Sequence, residues 1–104
     1  MARFHTVAAT IAQMYDFRMV SVPARDGGLP AVRQVYFWLD LGRAAEAVGR
    51  DRDAVRMLLA AERVGPQHAR SSVSARETAR SLLRKGAASP ELRGLCKRMS
   101  LTAQ

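Results

Sequence analysis

The chain has 104 residues, 48% of them hydrophobic and 25% charged, which suits one domain with a modest core. No apolar run approaches the ~20 residues of a membrane-crossing helix, and the N-terminus carries no signal-peptide pattern, so neither a span nor a secretory leader is expected. The single cysteine, Cys96, cannot form a disulfide within the chain, which makes a reducing cytoplasm the simplest compartment. The net charge of +8 is unevenly placed: residues 69–104 hold eight basic and two acidic side chains, residues 1–68 nine and seven. A basic C-terminal third points to an acidic partner, whether nucleic acid, an acidic protein surface or another face of its own assembly. Fifteen of the 17 basic residues are Arg, a bias that a GC-rich genome also produces, so Arg content alone says little about phosphate.

In chain order, Phe4, Val7, Ala8, Ile11, Met14 and Tyr15 recur at helical spacing and predict an amphipathic helix to about Asp16. Residues 17–22 are β-prone and read as a short second helix or an irregular segment. Residues 23–30 form a loop around Gly27-Gly28, with Pro30 at or just before the next helix start. Residues 36–66 organise the chain. Phe37, Leu41, Ala44, Ala45 and Val48 make one helical face, and Ala54, Leu58 and Ala61, flanked by Val55 and Leu59, make another. Gly49 ends the first run, Asp51 or Asp53 caps the second, and Gly65-Pro66 stops it. Two helices joined so tightly pack as an antiparallel hairpin. After a loop over residues 67–72, a helix is predicted from about Val73 to Lys85. Ser72 or Ser74 would cap it, Glu77 standing three residues beyond Ser74 as in a capping box. Its apolar face is thin: Val73, Ala75 or Ala79, Leu82 and Leu83. Ser89 as N-cap and Pro90 at N1 start a last helix, whose Leu92, Leu95, Cys96 and Met99 can close the stack. The expectation is an all-α single domain over residues 1–104, with about five helices and no strand.

The order of residues in the hairpin is more specific than its periodicity. Trp38, Leu41 and Gly42 resemble the W-x2-L-G opening of a tetratricopeptide repeat, Ala54 and Leu58 its A-x3-F segment, and Pro66 its closing proline. Ala45 departs from the usual tyrosine and Leu58 from the aromatic, which implies looser packing than in a consensus repeat. The resemblance implies a core repeat over residues 33–66, capping helices over residues 72–100, and a concave surface built from the first helix of each hairpin. That face would carry Tyr36, Leu39, Arg43 and Glu46, continued by Arg70, Val73, Glu77 and Arg80 in the next hairpin. A groove with Tyr36, Arg43, Arg70 and Arg80 suits a peptide with an acidic side chain or terminal carboxylate, because Arg is a planar bidentate donor. The bland alternative is a solvated polar face. A second constellation is the basic edge Arg76, Arg80, Arg84 with Lys85 beside it, whose mutual repulsion an anionic partner would relieve. Aromatics are absent from this third of the chain, which argues against single-strand stacking. Residues 60–72 look superficially like a helix-turn-helix with Gly65 at the turn. Against this, Pro66 follows directly, and Ser71 stands where a recognition helix buries an aliphatic.

Catalytic chemistry is hard to find. His5 and His68 lie far apart with no second ligand at metal spacing, no phosphate-binding glycine loop is present, and Cys96 lies alone on an apolar face. A non-enzyme without metal or cofactor is expected. Residues 39–83 together resemble the C-terminal tetratricopeptide-like region of bacterial XRE-type helix-turn-helix transcriptional regulators, through Leu39–Gly49, Leu58–Pro66 and Arg70–Leu83. Glu91–Leu95 and Arg98-Met99 match that family's closing helix. The family's DNA-binding domain has no counterpart in residues 1–30, so its DNA contacts do not carry over. What the resemblance implies is the partner half: binding of a peptide, small signal or protein, and dimerisation. A short array has exposed ends and usually needs ~3 repeats, so a homodimer burying Phe4, Ile11 and Tyr15 is expected. Direct nucleic-acid binding through the basic third is the alternative.

Overall fold

Helix α1, Ala31–Ala47, and helix α2, Asp51–Val64, form the predicted hairpin. The computed structural model describes residues 30–86 and 89–101, so the expected helix over residues 3–16 and the surface of Phe4, Ile11 and Tyr15 lie outside the described residues. The two helices approach closely because small residues line their seam. A Cβ added to Gly42 would stand 3.3 Å from Leu58 Cδ2 and 3.4 Å from Met57 Cβ. Ala45, Ala54 and Ala61 are buried beside it, with Trp38, Met57 and Leu58 filling the space around them. The apolar stripe of α1 is rotated from the expected one. Trp38 is buried while Phe37 is partly exposed, its ring edge-on to the indole at a centroid distance of 5.2 Å.

The turn after α1 closes through backbone alone. Gly49 takes a left-handed φ of 82°, its N–H reaching Glu46 O and the Arg50 N–H reaching Ala45 O at 2.8 Å. This is the geometry in which glycine costs least. Asp51 and Asp53 are not caps, contrary to the sequence expectation. Both lie inside the first turn of α2, where a carboxylate still opposes the positive end of the helix. Asp51 meets Lys85 instead, and Asp53 lies near Arg50 and Arg56.

Pro66 both ends α2 and begins α3, Pro66–Ser71, where a loop was expected. Proline at the first helical position has no N–H to leave orphaned and a φ already suited to helix. Ser72 then turns extended, with φ −67° and ψ 125°, and its hydroxyl accepts from the Ala75 N–H at 3.2 Å. Ser72 is therefore the cap of α4, Val73–Arg84, and the Ser74–Glu77 capping box does not form. A six-residue α3 ending at this break is too short to serve as a recognition helix. Ser89 caps α5, Pro90–Arg98, as expected, accepting from the Leu92 N–H at 3.1 Å. That helix closes with Ser100 in the left-handed region, φ 59°, and the Leu101 N–H on Cys96 O at 2.8 Å. The closure is the one seen at Gly49, here accepted by a serine.

Contacts at the helix ends set the directions. A Cβ on Gly65, just past α2, would lie 2.6 Å from Val35 Cγ2 near the start of α1, so α2 runs antiparallel to α1. Helix α4 leaves that same end and finishes beside the end of α1, where Ser81 Oγ donates to Glu46 Oε2 at 3.0 Å. Helix α5 returns, bringing Arg98 to Glu62 near the end of α2. Helices α1 and α4 thus point one way, and α2 and α5 the other. One core joins them, from Trp38 and Leu58 through Ala75, Ala79 and Leu82 to Leu92, Leu95 and Met99. The described residues are all-α, and none of their helices is long and apolar enough to cross a membrane.

Candidate binding surface

The expected groove residues divide between solvent and interior. Tyr36 is 56% exposed, Arg43 is exposed beside Asp40 at 3.6 Å, and Arg80 is exposed with no ion-pair partner among the described residues. Leu39 is a correction: only 3% exposed, it belongs to the core. Because α4 lies alongside α1, the side of α1 carrying Leu39 and Glu46 is covered, and an aliphatic there gains by burial. Glu46 is taken up within the fold, accepting from Ser81 and from Lys85 Nζ, which lies 2.6 Å away. Arg70 sits before the break at Ser72 and turns back to Glu62, its Nε 2.9 Å from Oε2. It does not join Tyr36 and Arg80 in one groove.

Exposed apolar side chains were less legible in the sequence. Val32, Tyr36, Phe37 and Val73, the last 70% exposed, are the large hydrophobic residues open to solvent among the described residues. Three lie in the first half of α1 and the fourth starts α4, the end at which both parallel helices begin. Val73 was expected both on the apolar face of its helix and on the groove. The cap at Ser72 rotates it outward.

The basic edge also divides. Arg76 is half-buried, donating Nη1–H to Met99 O at 2.6 Å and, at 3.5 Å, to Arg70 O. Lys85 donates to Asp51 Oδ1 at 2.8 Å and to Glu46 O at 3.2 Å. Its ammonium is held above the usual lysine range, first by the hydrogen bond with Asp51, then by that with Glu46. Arg80 and Arg84 remain exposed, without an ion-pair partner among the described residues.

The most concentrated electrostatics stand on Glu62, to which sequence reasoning gave no role. Its carboxylate, 10% exposed, receives Arg98 through two bonds, Nε to Oε2 and Nη2 to Oε1, both at 2.7 Å, and Arg70 through one. The bidentate hydrogen bond from Arg98 chiefly holds the Glu62 carboxyl below its ordinary range; Arg70 adds to this against the opposing effect of burial. The signal available was an acid one turn after Leu58, inside the apolar stripe of α2. A carboxylate there must find a cation. Burial also pushes the Cys96 thiol up, which keeps it protonated and unreactive. Among the described residues no group of His, Cys, Asp and Glu could hold a metal ion.

Comparison with known proteins assigns no relative: no protein-family model matches the chain, and neither a curated protein nor a solved structure matches it significantly.

Proposed function

We propose that this chain is a non-catalytic, tetratricopeptide-like binding module of bacterial transcription control, taking an extended peptide with apolar and acidic side chains along the exposed side of α1 and α4. The observation that carries this reading is the solvent-exposed apolar group at the shared beginning of those two helices, Val32, Tyr36, Phe37 and Val73. Arg43 and Arg80 lie further along the same helices, where a carboxylate would find a guanidinium. Tyrosine and phenylalanine on an open helix pair are the side chains that anchor interfaces. A second copy of the chain, or a small signal in place of the peptide, belongs to the same reading.

Its test is a titration of the protein against a labelled peptide of alternating Leu and Glu and, separately, against labelled duplex DNA. Each is run at two salt concentrations, with the mass of the protein determined in the same buffer. Peptide binding that persists in salt and weakens roughly tenfold in the Tyr36→Ala/Val73→Ser variant is the expected result, a loss in the range of a small hot spot. The exposure of Arg80 and Arg84 favours one alternative, direct phosphate-backbone binding along α4. DNA binding that collapses with salt and is abolished by Arg80→Ala/Arg84→Ala, without peptide binding, would overturn the proposal in its favour.

A further inference from the structure

Two guanidinium groups, from α3 and α5, meet on one carboxylate at one end of the fold, and a third, from α4, is bound to backbone carbonyls beside them. Arg70 on α3 and Arg98 on α5 share Glu62 Oε2, at 2.9 and 2.7 Å. Arg76 on α4 is anchored to Met99 O, the carbonyl of the residue after Arg98, and reaches Arg70 O. Among these described residues, three positive charges stand against the one negative charge of Glu62. The side chains of Arg70 and Arg98 are 40% and 42% exposed, whereas the Glu62 carboxylate beneath them is 10% exposed. The acid is the floor of the cluster, and the guanidinium groups of Arg70 and Arg98 are its rim.

An arginine offers five N–H donors. Arg70 uses only Nε–H on Glu62, and Arg98 keeps Nη1 out of its pair, so N–H groups remain without a partner among the described residues. Like charges brought to the same oxygen repel, and one carboxylate compensates only one of them. The guanidinium groups of Arg70 and Arg98 face water, where a further anion could reach them, with half-buried Arg76 beside them. Because Glu62 and the Met99 carbonyl already hold the side chains in place, little rotamer freedom would be lost when an anion arrives.

We propose that Arg70, Arg76 and Arg98 form a binding site for a phosphate-type dianion, oriented by Glu62. Two negative charges match the uncompensated pair, and tetrahedral oxygens match the planar donor forks of arginine. The group fits a small phosphorylated ligand, whose terminal phosphate is a dianion; a nucleic-acid backbone offers one negative charge per phosphodiester and is the source that the oligonucleotide arm of the test separates. This site uses different residues from the peptide face of α1 and α4, so either can fail without the other.

The test is thermal unfolding of the intact protein with increasing inorganic phosphate, against sodium chloride at matched ionic strength. A parallel arm uses a single-stranded oligonucleotide. The expected result is a phosphate-specific rise in Tm, with the affinity reduced about tenfold by Arg70→Gln, the effect of losing one charged hydrogen-bonding partner. That variant leaves the bidentate Arg98–Glu62 pair to hold the fold. Glu62→Gln supplies the second reading: its amide oxygen still accepts from the guanidinium groups but the competing charge is gone, so it lowers Tm yet increases the rise that phosphate produces. A structural role alone predicts lower stability in both variants and no phosphate-specific change. A shift equal to that from sodium chloride, or one unaltered by either variant, would overturn the proposal. Oligonucleotide binding without any phosphate effect would overturn it as well, by placing recognition on an extended backbone track.

Discussion

The two halves of the described chain are held by different forces. The hairpin of α1 and α2 closes on small residues and a buried indole, with Gly42, Ala45, Ala54 and Ala61 allowing the backbones together. The later helices rest on a thinner apolar face and add polar ties across long sequence distances: Glu62 to Arg98, Arg76 to Met99 O, and Glu46 to Ser81. Apolar packing scales with buried area and carries no charge for pH or ionic screening to act on. A charged tie is worth most where it is least exposed. The first half should therefore respond to volume and the second to charge.

The largest effect expected is at the seam. Trp38→Ala should cost about 3–5 kcal/mol in urea unfolding, because it empties the space between α1 and α2. Trp38→Phe should lose much less, since the buried indole N–H has no hydrogen-bond partner among the described residues. Equal losses in the two variants would show that the indole N–H matters in a way its contacts do not express.

An intermediate effect is expected at the Glu62 tie. Arg98→Ala should cost about 1–2 kcal/mol near neutral pH, a charged hydrogen-bond value discounted because Arg98 is 42% exposed. The Glu62 carboxyl lies below its ordinary value of 4.5 in the folded state, so its contribution is complete above 4.5 and is lost as pH falls through the lower, folded value. Unfolding followed below pH 4.5 should therefore show a shallower acid loss in the variant, and parallel curves would remove the linkage.

The smallest effect belongs to the inverse arrangement, one cation between two acids. Lys85→Met should cost about 0.2–1 kcal/mol and less in high salt, as its partners Glu46 and Asp51 stand near the surface. With the folded ammonium held above 10.5, this contribution is present below that value and lost as pH rises through the folded one. Salt-independent destabilisation, read from Tm, would assign the lysine a packing role through its stem instead.

Much of the helical framework was legible in the sequence, because its signals act within a turn or two. The periodic apolar residues of α1 and α2, the left-handed Gly49 and the Ser89-Pro90 start of α5 each depend on their immediate neighbours. Where two local solutions compete, only the observed geometry separates them. Ser72 rather than Ser74 caps α4, which turns Val73 to solvent, and Pro66 opens a short helix where a loop was expected. The candidate surface was legible in part: Tyr36, Arg43 and Arg80 are exposed as expected, while Leu39 is covered and Glu46 and Arg70 are bound internally.

By itself the sequence determined that α1, α2, α4 and α5 are helical and where most turns between them fall, because helix starts and stops are short-range chemistry. Tertiary structure alone decided which polar side chains remain free. Glu62 finds Arg98 across 36 positions and Glu46 finds Ser81 across 35. No local pattern encodes such a meeting, which exists only after the second hairpin has packed beside the first.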